Sequence, residues 1–409
     1  MKIGFLFNHD QIHQIAHSLP IAIAIARQAP DVDIVIATSN RRLTDEVRHH
    51  LAAAGIDLPI VQLGLKSAAT RFAARHFESV VPATKLCIYR DNLDFFRSLD
   101  ALVVAEKTSL LLKTHYGLTN LRVIHTRHGA GDRAIGFDKA SAGFDHVLVS
   151  GTKIRERLIR EAGVPSDRLS VVGYPKFDLA PAPRPRLCFE GNGKPTILYN
   201  PHVSPHLSSW YRHGRAVLQH FLNDDRYNLI FAPHVMLFHR RFVLTIDRLR
   251  IDRPGTIDRA VLDAPNIHVD LGSRACTDMS YTQAADIYLG DVSSQIYEFL
   301  HQPRPCLFLD SHHTDWAGDP NFAHWQAGEV IGCPSKLGAA LDRAMAQHRL
   351  YRPMQDDMLR RSFDLTDEAS SIRAARAVLR SLARPATTTV VPLRPELVPA
   401  RERPSVAAA

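Results

Sequence analysis

The densest concentration of chemistry-bearing residues runs from Asp286 to Glu298, as Asp-Ile-Tyr-Leu-Gly-Asp-Val-Ser-Ser-Gln-Ile-Tyr-Glu. It reads as a strand, a polar turn and the opening of a helix. Ser293 and Ser294 stand where that helix begins, so free backbone N–H groups, the positive end of the helix dipole and two hydroxyls would converge on one point. That combination makes an anion site, with a nucleotide diphosphate as its natural occupant. Glu298 follows Ser294 by one helical turn and could accept hydrogen bonds from ribose hydroxyls. Asp291, Ser293, Ser294 and Glu298 are therefore donor-binding candidates. The plainer alternative is that Asp291 and Ser293 only cap the helix.

A second polar run, His125-Thr126-Arg127-His128-Gly129-Ala130-Gly131-Asp132-Arg133, follows another expected strand. Gly129 and Gly131 let the backbone approach a ligand closely. An unperturbed histidine side chain titrates near neutral pH, so His128 could act as a general base. Gly129 is assigned to the donor and Arg133 to the acceptor; a glycine-rich surface loop is the alternative. His234 ends a further strand, in Phe231-Ala232-Pro233-His234, and could hydrogen-bond a phosphate or simply satisfy its own backbone. Asn200, His202 and Ser204 follow the first strand of the second half and could line the donor site, Asn200 foremost. His9, His13 and His17 repeat every four residues and would share a helix face. Metal binding, acceptor contact and an ordinary histidine face are all open for them. No carboxylate beyond Asp10 accompanies them, so no metal is assigned and His9 and His13 are kept as acceptor-binding candidates.

These motifs need a scaffold that presents strand ends. Expected strands fall at 3–7, 33–37, 59–63, 102–105, 122–125, 146–150 and 169–172, interleaved with helices at 11–28, 44–54 and 153–162. A stretch dense in proline and glycine covers 180–195. The alternation then restarts with strands at 196–199, 228–232, 267–270, 286–290 and 305–310. Strands alternating with helices predict parallel sheets covered on both faces. The fold class is α/β, with two Rossmann-like domains facing a central cleft, and ligands in such sheets bind at the carboxyl ends of the strands. The expected division is an N-terminal acceptor domain (1–179), a linker (180–195), a donor-binding domain (196–365), a closing helix (366–383) and a disordered tail (384–409) rich in proline, arginine and alanine.

Composition narrows the class. Of 409 residues 45% are hydrophobic and 22% charged, the profile of a globular protein. No apolar run reaches the roughly 20 residues of a membrane span, and Met1-Lys2 leads straight into a strand-like run without a signal peptide. A cytoplasmic location is expected. The five cysteines form no CxxC pair, which argues against a zinc site or a disulfide framework. The net charge of +8 suggests an anionic partner. The basic residues are dispersed and no nucleic-acid module appears, so nucleic acid is not expected among the partners.

Taken in order, the motifs resemble the CDP-glycerol glycerophosphotransferase family over roughly residues 120 to 345. His128-Gly129 is similar to that family's His-Gly loop, Pro233-His234 to its second histidine motif, and Ala285-Asp286 through Asp291-Val292-Ser293-Ser294 to its most recognisable signature. Arg304-Pro305-Cys306-Leu307-Phe308-Leu309-Asp310 resembles the strand that follows. Two departures stand out. The family loop usually continues His-Gly-Thr-Pro-x-Lys, where this chain has His128-Gly129-Ala130-Gly131-Asp132-Arg133. The second histidine is usually followed by proline, where this chain has Val235. The resemblance implies a glycosyltransferase-B-like fold, a metal-independent site without cofactor, and His128 and His234 as catalytic residues. The implied reaction moves glycerol phosphate, or a related alditol phosphate, from CDP-glycerol or a similar donor to a hydroxyl acceptor in cell-envelope or capsular polymer synthesis. The acceptor would be lipid-linked or a glycan, with peripheral contact at the inner face of the membrane. The rival expectations are a glycosyltransferase of the same fold using a UDP- or GDP-sugar, and a non-catalytic nucleotide-binding protein on the same scaffold.

Overall fold

A computed structural model describes residues 1–8, 12–77, 83–127, 129–179, 186–239, 242–245 and 250–383. The first half folds on one wholly parallel sheet. Its strands are β1 (Lys2–Phe7), β2 (Asp33–Thr38), β3 (Ile60–Gln62), β4 (Ala101–Val104), β5 (Arg122–His125), β6 (His146–Val149) and β7 (Leu169–Val171). They lie in the order β3-β2-β1-β4-β5-β6-β7. The second half repeats the scheme. It begins with β8 (Thr196–Asn200) and β9 (Asn228–Phe231). A separate antiparallel hairpin follows, β10 (Val243–Thr245) with β11 (Arg250–Asp252). Then come β12 (Ile267–Val269), β13 (Ile287–Gly290), β14 (Cys306–Leu309) and β15 (Glu329–Ile331). The second sheet, also parallel, is ordered β12-β9-β8-β13-β14-β15. Two Rossmann-like domains are the result, as the alternation predicts.

The strand sequences explain the architecture. A parallel sheet is covered by helices on both faces, so its inner strands must be apolar on both sides. The Ala-Leu-Val-Val of β4 and the Cys-Leu-Phe-Leu of β14 are buried at every position. Register runs straight through, with Ile3 opposite Ile34 on one side and Ala101 on the other. Among the described residues no helix is long and apolar enough to cross a membrane.

In each sheet the connections reverse direction beside the first strand, between β1 and β4 and between β8 and β13. Such switch points leave a crevice at the carboxyl ends of the strands. The two crevices face each other.

The chain returns to the first domain at its end. Helix His348–Phe363 is followed by helix Ser370–Ala383, whose Ala374, Ala375 and Val378 join the apolar cluster of Ile3, Phe5 and Ile25. Its first turn is tied to the exit of the first domain. Ser370 Oγ accepts the Tyr174 N–H at 2.9 Å, and Asp178 accepts the N–H groups of Ser370 and Ser371 at 3.3 and 2.5 Å.

Candidate functional site

A cavity of about 570 Å³ lies between the facing strand ends, within the size range of small-ligand sites. The first domain lines it with Ala105 to Thr108 after β4 and with Arg127, Gly129 and Gly131 to Arg133 after β5. The second domain contributes His202 after β8, His234 after β9 and Val292 to Ser294 after β13.

The two strongest sequence motifs meet here. Gly129 has φ +83, and a Cβ on it would sit 3.8 Å from Ser294 Oγ. A Cβ on Gly131 would lie 3.0 Å from Ser294 Cβ, closer than ordinary contact. Ala130, between them, is buried in the same apolar cluster as Val292, Ile296 and Tyr297 of the second domain. Glycine at these positions is what lets a first-domain loop seat against the second-domain serines.

Two expected donor ligands stand behind the cavity wall. Asp291 accepts from His202 N–H at 2.9 Å, Ser209 N–H at 2.6 Å, Ser209 Oγ at 2.8 Å and Val292 N–H at 2.6 Å. Burial pushes its carboxyl up to about 6 against these hydrogen bonds. With its oxygens committed, Asp291 organises the loop after β8 and neither touches the cavity nor caps the helix. Asn200 accepts from Ser293 Oγ at 2.7 Å and donates to the Ala232 carbonyl at 2.6 Å, so it positions a serine from below. The helix after the serines, Gln295–Phe299, is only five residues long and has no side-chain cap at Ser294. Its dipole is correspondingly small, and the anion-binding capacity of this corner rests on hydroxyls and side chains.

Of the two histidines that the second domain brings to the cavity, His234 has a defined tautomer. His234 Nδ1 accepts the N–H of Met236 at 3.2 Å, and His202 Nδ1 accepts that of Ser204 at 2.9 Å. A neutral imidazole that accepts at Nδ1 carries its proton on Nε2. Burial, and then the Arg133 guanidinium, hold His234 down at about 4. Burial and the neighbouring His234 hold His202 well below its usual value. The rings lie 5.9 Å apart, and Arg133 Nη1 is 3.4 Å from His202 Nε2. Arg133 can only donate, so His202 Nε2 faces a donor, and at neutral pH it is His234 that presents an Nε2–H beside a cation, a setting suited to a phosphoryl oxygen.

The floor is an ionic knot joining the domains. Asp132 Oδ1 accepts from Lys153 Nζ at 2.9 Å; its Oδ2 accepts from Tyr297 Oη at 2.5 Å and faces His324 Nδ1 at 3.0 Å. Burial works to raise the Asp132 carboxyl, but Lys153, His324 and Tyr297 outweigh it and hold it well below the carboxylate range. For Lys153 the balance is opposite, with burial lowering it more than Asp132 raises it. The stabilising weight therefore sits on the carboxylate, which collects several donors, with the lysine as its counter-ion. Further out, Glu298 Oε1 accepts from Lys176 Nζ at 2.6 Å and Tyr174 Oη at 3.1 Å. Glu298 thus lines the cavity, while one of its oxygens already holds two first-domain donors.

Of the remaining expected residues, Ser293, Ser294, His234, Gly129 and Arg133 all line this cavity. His128 and His9 lie outside the described residues, as does the side chain of His13. His17 lines the cavity together with Gln14. Sequence reading gave no role to Asp132, Lys153, Lys176, Tyr297 or His324. Asp132 carried one signal, its place directly after the glycine pair; the others carried none.

No family model and no curated protein matches the chain. Solved structures do. The UDP-GlcNAc 2-epimerase from Neisseria meningitidis bound to UDP-GlcNAc is 12% identical, with TM-score 0.56 over 93% of this chain and 99% of that one. The S. aureus MnaA–UDP co-structure is 14% identical, with TM-score 0.57 over 92% and 94%. The wall teichoic acid polymerase TagF, in a variant soaked with CDPG, is 14% identical, with TM-score 0.58 over 93% and 88%. At these identities the likeness establishes the glycosyltransferase-B-like fold.

Proposed function

We propose that this chain is a transferase that moves glycerol phosphate, or a related alditol phosphate, from a CDP-activated donor to a hydroxyl acceptor. The observation that carries the reading is the apposition of Ser293 and Ser294 with the Gly129–Gly131 loop on one cavity, flanked by the Nε2–H donor of His234 and the Arg133 guanidinium. Fold likeness to TagF and the order of the sequence motifs support the same donor class.

In this reading the donor diphosphate lies against Ser293, Ser294 and Arg133, and Arg133, expected from the sequence on the acceptor side, moves to the donor because it stands beside His202 and His234. The acceptor oxygen attacks the phosphorus bearing the glycerol, a new O–P bond forms, and the bond to the CMP phosphate oxygen breaks with its electron pair. Charge that develops on the phosphoryl oxygens meets preorganised N–H donors, the usual source of catalytic benefit in such transfers. His234 cannot also take the acceptor proton, because its Nδ1 lone pair is occupied and its Nε2 is already protonated. The base role falls to His128, which the sequence places between Arg127 and Gly129. Glu298 is the ribose ligand. The acceptor approaches from the first-domain wall.

A second reading has one observation in its favour: the same fold occurs with UDP and with UDP-GlcNAc bound. A UDP-sugar would then occupy the same corner. Thermal stability of the purified chain with CMP, CDP, CDP-glycerol, UDP, UDP-GlcNAc and GDP separates the two, since a ligand at 100 times its Kd adds about 2.7 kcal/mol. Selective stabilisation by cytidine nucleotides, with CMP released on adding a hydroxyl acceptor, supports the phosphotransferase. A response confined to UDP compounds transfers the assignment to the second reading, and silence toward every nucleotide rejects both.

A further inference from the structure

The carboxylates on the cavity wall are each matched by a lysine. Glu106 pairs with Lys85, Asp138 with Lys107 at 2.8 Å, Asp132 with Lys153 and Glu298 with Lys176. Arg127 on the same wall has no such partner: among the described residues no carboxylate lies within ion-pair distance of it. Its guanidinium is nonetheless fixed in place. Nη1 donates to the Gly136 carbonyl at 2.6 Å, the carbon lies 4.7 Å above the Phe137 ring, and Nε is shut off from solvent without a hydrogen-bond partner. The backbone is strained to hold it there, since Arg127 has φ +48, a left-handed conformation that costs a non-glycine residue of order 1 kcal/mol or more. The same Phe137 ring carries a second guanidinium, that of Arg157, at 3.9 Å. A cation sequestered without a paired carboxylate among the described residues, with Asp138 acting only at longer range and a second cation nearby, is costly to keep on strained backbone. Burial and Arg157 accordingly lower it to about 10.

We propose that Arg127 is the anion-binding group of an acceptor subsite on the first-domain wall, and that the acceptor carries a phosphate group there. This rests on the transferase reading, and names the acceptor's chemistry. Nη2, which bonds to nothing among the described residues, is the donor offered to the cavity. A planar guanidinium already locked by Gly136 and Phe137 loses little freedom on gripping a phosphate oxygen. It is a different cation from Arg133, which serves the donor diphosphate, so the two anionic groups, donor diphosphate and acceptor phosphate, have separate cations. The hydroxyl to be phosphorylated would then sit between them.

The test is calorimetric titration of the full chain with inorganic phosphate at constant ionic strength, with and without saturating CDP. Phosphate is expected to bind the CDP-saturated protein, and to bind at least tenfold more weakly in Arg127→Gln. Gly136→Ala provides a second variant, because its Cβ would meet Arg127 Nη2 at 2.9 Å and displace the guanidinium without removing its charge; it too should weaken phosphate. If Arg127→Gln fails to fold, Gly136→Ala decides. Phosphate bound equally well by wild type and either folded variant overturns the proposal, as does a CDP-saturated protein that takes no phosphate. Acetate bound in its place overturns the phosphate assignment. CDP failing to bind while Arg127-dependent phosphate binding persists would instead remove the donor reading and leave this subsite standing.

Discussion

Replacing Asp132 by Asn tests the ionic knot most directly. The carboxylate is 3% exposed and receives Lys153, Tyr297 and the His324 ring, two of them from the other domain. Asparagine keeps the shape and removes the charge, leaving the Lys153 ammonium buried without its counter-ion. Breaking a buried pair from one side costs roughly 3–5 kcal/mol. At about 2–4 °C per kcal/mol for domains of this size, Tm should fall by about 6–20 °C. The pH dependence follows in sign. The folded carboxyl is held below its unfolded value near 3.9, so its contribution is complete above about pH 4 and is lost as pH falls through the lower folded value. Asp132→Asn should therefore flatten the acid limb of a stability–pH curve while lowering its neutral plateau. The double variant Asp132→Leu/Lys153→Met removes both charges and should recover part of the loss. Guanidinium denaturation at pH 7 and at pH 3.5 reads all of this. A single variant within 1 kcal/mol of wild type at pH 7, or a double variant worse than the single by the full cost of each, would refute the reasoning.

Other consequences are as direct. Ser294→Ala should weaken CDP binding roughly 10- to 150-fold, the equivalent of a charge-assisted hydrogen bond of about 1.5–3 kcal/mol, with little change in Tm; unchanged affinity by titration would move the diphosphate elsewhere. His234→Ala should lower kcat about 10²- to 10³-fold, in line with loss of a transition-state donor. Because His234 is held at about 4, this variant should keep any acidic limb seen between pH 5 and 8, and disappearance of that limb would make His234 the base. Gly131→Ala should cost nucleotide affinity more than stability, since its Cβ would meet Ser294 at 3.0 Å; equal CDP titrations for variant and wild type would show that the loop yields freely.

The scaffold was readable because a parallel sheet writes itself as short apolar runs. The strand expected at 122–125 has those bounds in the structure, and those at 3–7 and 33–37 differ by a single residue at one end. What carried no such signal was missed. β15 is three residues, Glu-Val-Ile, at a sheet edge. Helices Ala68–Phe77 and Ala83–Asp91 lie in a stretch given no element, and His348–Phe363 contains Pro353, which reads as a break. The site divides the same way. Ser293, Ser294 and the glycine loop were visible because each follows a strand and must face the cleft. The Asp132–Tyr297 and Asp132–His324 contacts join residues 165 and 192 positions apart, and no spacing rule reaches that far. Asp291 was placed one layer too far forward, because the sequence shows a carboxylate beside the serines but not the N–H groups of His202 and Ser209 that claim it.

The return of helix Ser370–Ala383 to the first sheet makes that domain discontinuous. During synthesis the ribosome must deliver the whole second domain before the last piece of the first becomes available, so the earlier half waits with the face meant for Ala374, Ala375 and Val378 uncovered. The second domain can complete itself beforehand. Expression of residues 1–179 alone should then give an aggregation-prone product, whereas joining residues 366–383 to it through a short linker should restore a self-contained domain.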